Sequence, residues 1–158
     1  MDNLYNVNVK WTKDLDIEDA LDYYEDNDHE MLYIILRKRK YKENIIYTAL
    51  YIGMTYKQFL SDRLKNHHKL NNIIEEQRGK GEVVIRFGDI SLPLNKRISE
   101  KLVKDIEAIL IHEVQPEYNE MSRKSYRGRE IKITNLRLGV FGVKDLPKVI
   151  DTTEWEFI

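Results

Sequence analysis

The sequence predicts a single-domain protein of the α/β (α+β) class, in which strands and helices form packed layers. The chain has 158 residues, which is the length of one domain. Its hydrophobic pattern changes between strand and helix periods in the order β–α–β–β–α–β–α–β. No linker rich in Pro, Gly or Ser divides residues 1–158, and no repeat interrupts them. These observations together favour one layered domain.

The first half of the chain is predicted to form three strands and one helix. Residues 4–11 alternate apolar and polar side chains, as a half-buried strand does. Residues 16–26 have apolar side chains at helical spacing, and Asp16 is a suitable N-cap. Residues 31–40 and 45–53 are rich in strand-forming side chains and are separated by a polar turn, so we expect an antiparallel hairpin.

The second half is predicted to contain two helices and two strands before a mixed tail. Residues 56–70 have a helical apolar stripe, and residues 71–82 continue it for about one turn before two glycines. Residues 83–90 form an apolar strand. Residues 94–116 are predicted to be a long helix that ends at the proline in its last position. Residues 129–137 form the last predicted strand.

Charge is unevenly distributed along the chain, although the formal net charge is only −1. Residues 1–30 contain two basic and ten acidic side chains, whereas residues 31–104 contain sixteen basic and seven acidic ones. The basic middle of the chain is therefore a candidate for contact with a polyanion. The alternatives are a solvated surface of fluctuating charge, and an acidic N-terminal helix that mimics DNA and covers the basic groove.

The amino-acid composition also indicates the cellular compartment in which the protein is expected. The chain has no cysteine, which excludes disulfides and thiolate metal sites and fits a reducing cytoplasm. No basic start is followed by an apolar stretch, so no signal peptide is predicted. The longest apolar window, residues 45–54, is shorter than the roughly 20 residues that span a bilayer. We therefore expect a cytoplasmic protein with no membrane partner.

Side chains of complementary chemistry are predicted to meet between the hairpin and two helices. Tyr33 and Tyr51 lie on adjacent predicted strands and are side by side if they share a face. Arg63 and His67 are four residues apart, so they lie on one helical face. Glu107 lies beside the apolar stripe of the long helix, where a carboxylate needs a partner or a metal ion.

These residue types suit the hydrolysis of a phosphodiester with a metal ion. An Arg guanidinium binds phosphate through a planar, bidentate contact. A single carboxylate suffices to hold a Mg²⁺ ion that keeps several waters and binds a phosphate oxygen. A His, or a Tyr whose pKa of about 10 is lowered by nearby cations, takes the proton from the attacking water.

Four short motifs occur in an order that resembles the GIY-YIG nuclease family. The sequence MLY at 31–33 stands where the family has Gly-Ile-Tyr, and YIG at 51–53 matches outright. DRLKNH at 62–67 is similar to the Arg-x₃-His helix of one branch of the family. EAILIHEVQPEYN at 107–119 resembles the segment that runs from the family's Glu to its closing Asn. No single motif is specific to the family, but the four motifs in this order together are strong evidence for the resemblance.

The resemblance covers residues 31–119 and implies a fold as well as an activity. The implied fold is a small three-stranded antiparallel sheet flanked by helices. Residues 1–30 are then an acidic N-terminal extension with its own strand and helix, and residues 120–158 are a C-terminal extension that contributes a strand. The implied activity is that of an endonuclease that cleaves DNA with one Mg²⁺ or Mn²⁺ ion.

The resemblance also implies roles for individual residues. Glu107 is the metal ligand, and Arg63 holds the scissile phosphate. Tyr33 and Tyr51 position or deprotonate the water with help from His67, and the closing asparagine orients the site. The implied catalytic residues are Tyr33, Tyr51, Arg63, His67, Glu107 and Asn119.

The chain departs from the family pattern at three positions. Met31 and Leu32 replace the family's Gly and Ile, and Met54 follows YIG where many members have Lys. Basic residues of the hairpin turn, or a lysine three positions after Met54, are expected to replace that cation. A basic loop at 122–129 is also expected to contact phosphates. The predicted nucleic-acid-binding residues are Arg37, Lys38, Arg39, Lys57, Arg123, Lys124 and Arg127.

Two other function classes remain open from the sequence. One is a catalytically inactive member of the family that binds nucleic acid or a protein, and the other is an interaction domain with no nucleic-acid role. For the nuclease, the expected partner is double-stranded or branched DNA, and specificity comes from a homodimer, a partner or the terminal segments. Restriction, repair and recombination in a bacterium or phage are all compatible roles.

Overall fold

The computed structural model describes residues 5–23, 31–56 and 68–155, so the predictions for Lys57, Arg63 and His67 fall outside the described residues. The described part contains six strands and three α-helices, with short 3₁₀ turns at Pro93–Asn95 and Thr152–Glu154. Along the chain these are β1 (Tyr5–Trp11), α1 (Ile17–Tyr23), β2 (Met31–Tyr41), β3 (Asn44–Thr55), α2 (His68–Glu76), β4 (Glu82–Ser91), α3 (Glu100–Val114), β5 (Ile131–Leu136) and β6 (Val149–Asp151).

Helices α1 and α3 begin where a side chain accepts a hydrogen bond from one of their first backbone N–H groups. The predicted N-cap Asp16 is confirmed, because its Oδ1 accepts a hydrogen bond of 2.7 Å from the Asp19 N–H. The long helix starts at Glu100 and not at residue 94 as predicted. Ser99 is its N-cap, and the Ser99 hydroxyl accepts a hydrogen bond of 3.1 Å from the Leu102 N–H. The residue after the helix, Gln115, is left-handed at φ 57°, which ends the helical path.

All six strands belong to one curled, mixed sheet with the order β3-β2-β4-β1-β5-β6. The β2–β3, β2–β4, β1–β4 and β5–β6 pairs are antiparallel. The β1–β5 pair is parallel, with Tyr5 opposite Ile131 at one end and Lys10 opposite Leu136 at the other. The sheet therefore joins strands from both ends of the chain to the central hairpin.

The predicted small three-stranded antiparallel sheet is wrong, because the sheet has six strands and is mixed. The strand at residues 5–11 is inserted between β4 and β5. Its buried side chains Val7, Val9 and Trp11 join the main core, so β1 is part of the sheet interior. Local sequence patterns identify a strand but not its neighbours, because any exposed edge offers the same unpaired N–H and C=O groups.

The sheet carries a hydrophobic core on each face. On one face, Val103, Ile106 and Leu110 of α3 pack in the cluster that contains Leu32 and Ile34 of β2. On the other face, α1 and α2 supply the buried residues Ala20, Leu70 and Ile73, which pack in the cluster that contains Tyr33, Ile35 and Phe87. We call these the α3 face and the α1/α2 face.

A β-bulge in the hairpin changes which side chains of β3 face each way. Ile35 is opposite Tyr51 and Leu36 is opposite Ala49, so Leu50 is the extra residue. Leu50 and Tyr51 consequently both contribute to the α1/α2 face, although they are adjacent in sequence.

Among the described residues, no helix is both long and apolar enough to cross a membrane.

Candidate functional site

The two motif tyrosines lie next to each other on the α1/α2 face. Tyr33 comes from β2 and Tyr51 from β3, and their ring centroids are 6.2 Å apart with an interplanar angle of 34°. The bulge at Leu50 helps to set this arrangement, because it places Tyr51 on the face that Tyr33 already occupies. The hairpin therefore presents two phenols as a pair.

Gly53, the last residue of the YIG motif, lies directly beneath the Tyr33 ring. The two residues are cross-strand partners. A Cβ atom on Gly53 would lie 2.3 Å from both Cζ and Oη of Tyr33, far closer than van der Waals contact allows. The glycine is therefore required by the packing of the Tyr33 ring across the backbone.

The tyrosines differ in their access to solvent. Tyr33 is fully buried, with 0% of its surface exposed. Tyr51 is half-buried, and the Lys69 Nζ lies 5.4 Å from the centroid of its ring. Lys69 Nζ also donates a hydrogen bond of 3.3 Å to the carbonyl of Tyr118, which holds the ammonium group in this region. Of the pair, Tyr51 is the residue that a large ligand can contact from the surface.

Asn119 holds the YIG segment from the outer edge of the sheet. Its Oδ1 accepts a hydrogen bond of 2.9 Å from the Ile52 N–H, and its Nδ2 donates one of 2.9 Å to the Ile52 carbonyl. The neighbouring Tyr118 N–H donates 2.8 Å to the Leu50 carbonyl. The amide of Asn119 is buried, so these two bonds satisfy both peptide groups of Ile52 away from water.

Glu107 is half-buried on α3, whose apolar stripe packs on the sheet face opposite the tyrosine rings. Within the described ranges, no three His, Asp or Glu side chains are grouped as a multidentate metal site. A Mg²⁺ ion that keeps most of its waters needs one carboxylate from the protein, and Glu107 has the chemistry for that single ligand.

Two of the predicted DNA-contacting residues make internal ion pairs. Arg37 Nη2 lies 3.3 Å from Glu117 Oε1, and its Nη1 donates 3.2 Å to Gln77 Oε1. Lys38 Nζ lies 3.4 Å from Asp14 Oδ2. Because successive strand residues point to opposite faces, the side chains of Arg37 and Lys38 lie on different faces of the sheet.

The basic loop after α3 is divided between structural and exposed side chains. Arg123 Nε donates 3.2 Å to Gln115 Oε1, and its own carbonyl accepts a hydrogen bond of 2.5 Å from Gln115 Nε2. These contacts hold the loop against the end of α3. Lys124 and Arg127 are exposed, as is Arg39 on the hairpin, and none of the three forms an ion pair with another described residue.

A buried ion-pair cluster on the α3 face was not predicted. Arg86 Nε lies 2.7 Å from Asp14 Oδ1, and the Tyr47 hydroxyl donates 2.6 Å to Asp14 Oδ2. The Arg86 guanidinium also stacks 4.5 Å from the centroid of the Tyr47 ring. Burial by itself would raise the pKa of Asp14, but the hydrogen bonds from Tyr47 and Arg86 outweigh it and hold that pKa below its usual value.

The sequence contains a signal for this cluster. Arg86 alternates with Val84 and Gly88 along β4, so it occupies a core-facing position in an otherwise apolar strand. A charge at such a position requires a buried partner. The partner, Asp14, is distant in sequence and follows the end of β1, so local patterns do not identify it.

Comparisons with known proteins return no match, whether with protein-family models, curated proteins or solved structures. The resemblance to GIY-YIG nucleases therefore depends on the motif residues and their order in the chain.

We predict that Gly53→Ala destabilises the protein through Tyr33. The new methyl group displaces the phenol ring, which costs about 1–3 kcal/mol of unfolding free energy. In a Tyr33→Leu background the clashing ring atoms are absent, so adding Gly53→Ala should cost little. Urea unfolding of the four proteins in this double-mutant cycle tests the contact, and equal costs of Gly53→Ala in both backgrounds would refute it.

Asn119→Ala is predicted to expose the edge of β3. It leaves the N–H and C=O groups of Ile52 without partners, which costs about 2–4 kcal/mol for two buried groups. Hydrogen exchange should accelerate at the Ile52 amide more than at the interior strand β4. The exposed Asn6→Ala is the matched control and should change neither quantity. Unchanged exchange at Ile52 in the Asn119 variant would contradict the assignment.

The Asp14 cluster predicts a specific pH dependence of stability. The folded pKa of Asp14 is below its usual value of 3.8, so its contribution is present above that pH and is lost as the pH falls through the folded value. We expect Asp14→Asn to be less stable than wild type near neutrality, and the difference to shrink below pH 3.8. Urea unfolding across this range, with exposed Asp22→Asn as control, tests it. A difference that stays constant with pH would be the contrary result.

Proposed function

We propose that this protein is a divalent-metal-dependent endonuclease that hydrolyses DNA phosphodiester bonds at the surface around Tyr51. The observation that supports the proposal most directly is the cluster formed by Tyr33, Tyr51, Gly53 and Asn119. These residues come from three separate motifs of the resemblance, and each contacts another member or its immediate neighbour. The resemblance to the GIY-YIG family implies that residues of these motifs lie together.

The proposed roles of the tyrosines follow from their exposure. Tyr51 is accessible, so its phenol contacts the attacking water or the phosphate, with Lys69 adding positive potential nearby. Tyr33 is fully buried, so it acts as a positioning residue that holds the Tyr51 ring and rests on Gly53. Asn119 is also a positioning residue, because both ends of its amide are bonded to Ile52.

The remaining proposed roles are those that the sequence motifs imply. Arg63 steadies the scissile phosphate, and His67 accepts a proton from the water. Glu107 would hold the metal ion through its carboxylate. Because α3 packs on the face opposite the tyrosine rings, this role requires the ion to lie near the β3 edge of the sheet. A bound Mg²⁺ or Mn²⁺ supplies Lewis-acid stabilisation of the charge that develops on the phosphate and the leaving oxygen.

Exposed cations are proposed to bind the DNA backbone. Arg39, Lys124 and Arg127 are exposed, so they can neutralise phosphates without breaking an internal ion pair. Arg37 and Lys38 contribute less, because binding DNA would require them to leave Glu117 and Asp14. Log affinity falls linearly with log salt concentration. A substitution that removes one cation from a phosphate should make this fall less steep, by about 0.9 in the slope.

A second candidate function is nucleic-acid binding without cleavage. The full burial of Tyr33 favours it, because a buried phenol cannot contact a phosphate and the fold needs that ring to pack on Gly53 whether or not the protein is an enzyme. This candidate predicts DNA affinity that falls with rising salt and no metal-dependent cleavage.

A plasmid-nicking assay with Mg²⁺, Mn²⁺ or EDTA distinguishes the two functions. We expect metal-dependent nicking that Glu107→Gln abolishes and that Tyr51→Phe lowers by about 100-fold, the lower range for a group that transfers protons. The matched controls are Glu100→Gln, an exposed glutamate on the same helix, and Tyr41→Phe, an exposed tyrosine on the same hairpin.

Each outcome of this assay decides between the candidates. Retention of wild-type nicking in Glu107→Gln would refute the metal-ligand assignment. Absence of nicking in the wild type, together with salt-dependent DNA binding, would favour the non-catalytic binder. Absence of both nicking and binding would exclude both candidates under those conditions.

A further inference from the structure

A cavity of about 640 Å³ opens on the part of the molecule that contains the Asp14–Arg86 pair. Trp11 and Arg86 line it from the sheet, and Lys13, Asp14 and Arg137 line it from the adjoining chain segments. The side chain of Arg86 belongs to the α3 face, so this cluster lies across the sheet from the tyrosine pair. Leu15 and Tyr23, which pack on the α1/α2 face, also line the cavity, but its lining does not include the tyrosine pair, Gly53 or Asn119.

The cavity exists because the chain leaves the sheet after β1. Trp11 pairs with Gly88, and the chain returns to pair Leu15 with Ile85, so one extra residue is accommodated in between. Thr12 ends the ladder, because its Oγ1 accepts a hydrogen bond of 3.0 Å from the Phe87 N–H. This excursion aims the Asp14 carboxylate at Arg86 and leaves the space beside them open.

Arg86 has unused hydrogen-bonding capacity that faces this space. It is only 5% exposed, and Nε and Nη1 donate to Asp14 Oδ1 and to the Leu138 carbonyl. The Arg86 guanidinium also interacts with the Tyr47 hydroxyl, whose proton is donated to Asp14. No hydrogen bond of good geometry joins Nη2 to a residue in the described ranges. Nη2 is not fully buried, and Arg86 lines the cavity, so this edge of the guanidinium is the part available to a ligand there.

The charge around the cavity favours an anion. Asp14 is shared by Arg86 and Lys38, so this group of three carries a net positive charge. Lys13 and Arg137 add two exposed cations at the rim. Asp89 and Lys10, which also line the cavity, offset each other. An oxyanion at Arg86 Nη2 would thus meet an excess of positive charge.

The backbone conformation at Arg137 helps to form the wall of the cavity. Its φ is 62°, a left-handed conformation that L-residues other than Asn, Asp and Gly rarely adopt. The next residue, Leu138, supplies the carbonyl that accepts from Arg86 Nη1. The left-handed turn at Arg137 therefore places the Leu138 carbonyl where it accepts a hydrogen bond from Arg86. It also keeps Arg137 in the lining of the cavity.

We propose that this cavity binds the phosphate group of a phosphate monoester of about mononucleotide size. A phosphate monoester carries close to two negative charges, which suits Arg86 Nη2 together with the rim cations better than a single carboxylate does. The volume of about 640 Å³ is within the range of small-molecule sites, roughly 300–1,000 Å³, and accommodates a nucleotide. The ligand is a free nucleotide or the 5′-phosphorylated end of a strand, which present the same chemistry.

The two tryptophans of the chain provide an internal control for this proposal. Trp11 lines the cavity, whereas the Trp155 ring packs against His112 and Tyr126 elsewhere in the fold. In ¹⁵N-edited NMR spectra each indole N–H gives one signal, and Trp155→Phe assigns the pair. Titration with deoxyadenosine monophosphate should shift the Trp11 signal and leave the Trp155 signal in place, whereas deoxyadenosine should shift neither.

Variants of the cavity identify the group that binds phosphate. Arg86→Lys keeps a cation beside Asp14 but removes Nη2, and we expect the dissociation constant for deoxyadenosine monophosphate to rise by about tenfold or more. Arg137→Asn keeps a residue that tolerates positive φ and removes one rim charge, so a smaller rise is expected. The exposed Lys101→Ala on α3 is the control and should leave the dissociation constant unchanged.

The source of the phosphate is tested with inorganic phosphate and with a short single strand that carries either a 5′-phosphate or a 5′-hydroxyl. Binding that requires the 5′-phosphate of the strand identifies a strand end, and equal binding of the mononucleotide identifies a free nucleotide. The proposal is overturned if deoxyadenosine monophosphate does not shift Trp11 at millimolar concentration, or if deoxyadenosine shifts it equally. If Arg86→Lys does not fold, unchanged affinity in folded Arg137→Asn overturns it.

Discussion

The two hydrogen bonds between the Asn119 side chain and Ile52 are the constraint on which the tyrosine site depends. Strand β3 is at the edge of the sheet, so its outer N–H and C=O groups need partners from elsewhere in the chain. The segment after α3 provides them through Asn119 and through the backbone of Tyr118. The end of α3 is thereby joined to the strand segment that contains Tyr51 and Gly53.

A second constraint acts on the other face, where Arg86 and Asp14 form a buried pair. Removing one partner of a buried ion pair costs about 3–5 kcal/mol, whereas an exposed pair contributes about 0–1 kcal/mol. By this comparison the Asp14–Arg86 contact matters far more to the fold than an exposed pair such as Glu100–Lys104. It also anchors the excursion after β1, and so joins the N-terminal strand to the central hairpin through β4.

The two faces of the sheet consequently suggest different chemistry. The α1/α2 face presents a half-buried phenol beside a lysine, supported by a buried phenol that rests on a glycine. The α3 face presents a guanidinium edge to a cavity with a basic rim. A nuclease site at Tyr51 and a phosphate site at Arg86 do not compete for residues, because the cavity beside Arg86 is lined by none of the residues proposed for cleavage.

The sequence by itself determined the order of the elements up to β5, the Asp16 cap and the β2–β3 hairpin, because these depend on side-chain period and on neighbouring residues. The sequence did not determine the bulge that places Tyr51 on the same face as Tyr33. It did not determine that β1 lies between β4 and β5, or that Asp14 meets Arg86. It also did not determine that Arg37 is paired with Glu117, or that the long helix begins after Ser99 rather than at residue 94. Strand order and buried charge pairs join groups far apart in sequence, and their free energy arises only when the chain has folded. For that reason the tertiary structure alone decided the sheet and revealed the cavity.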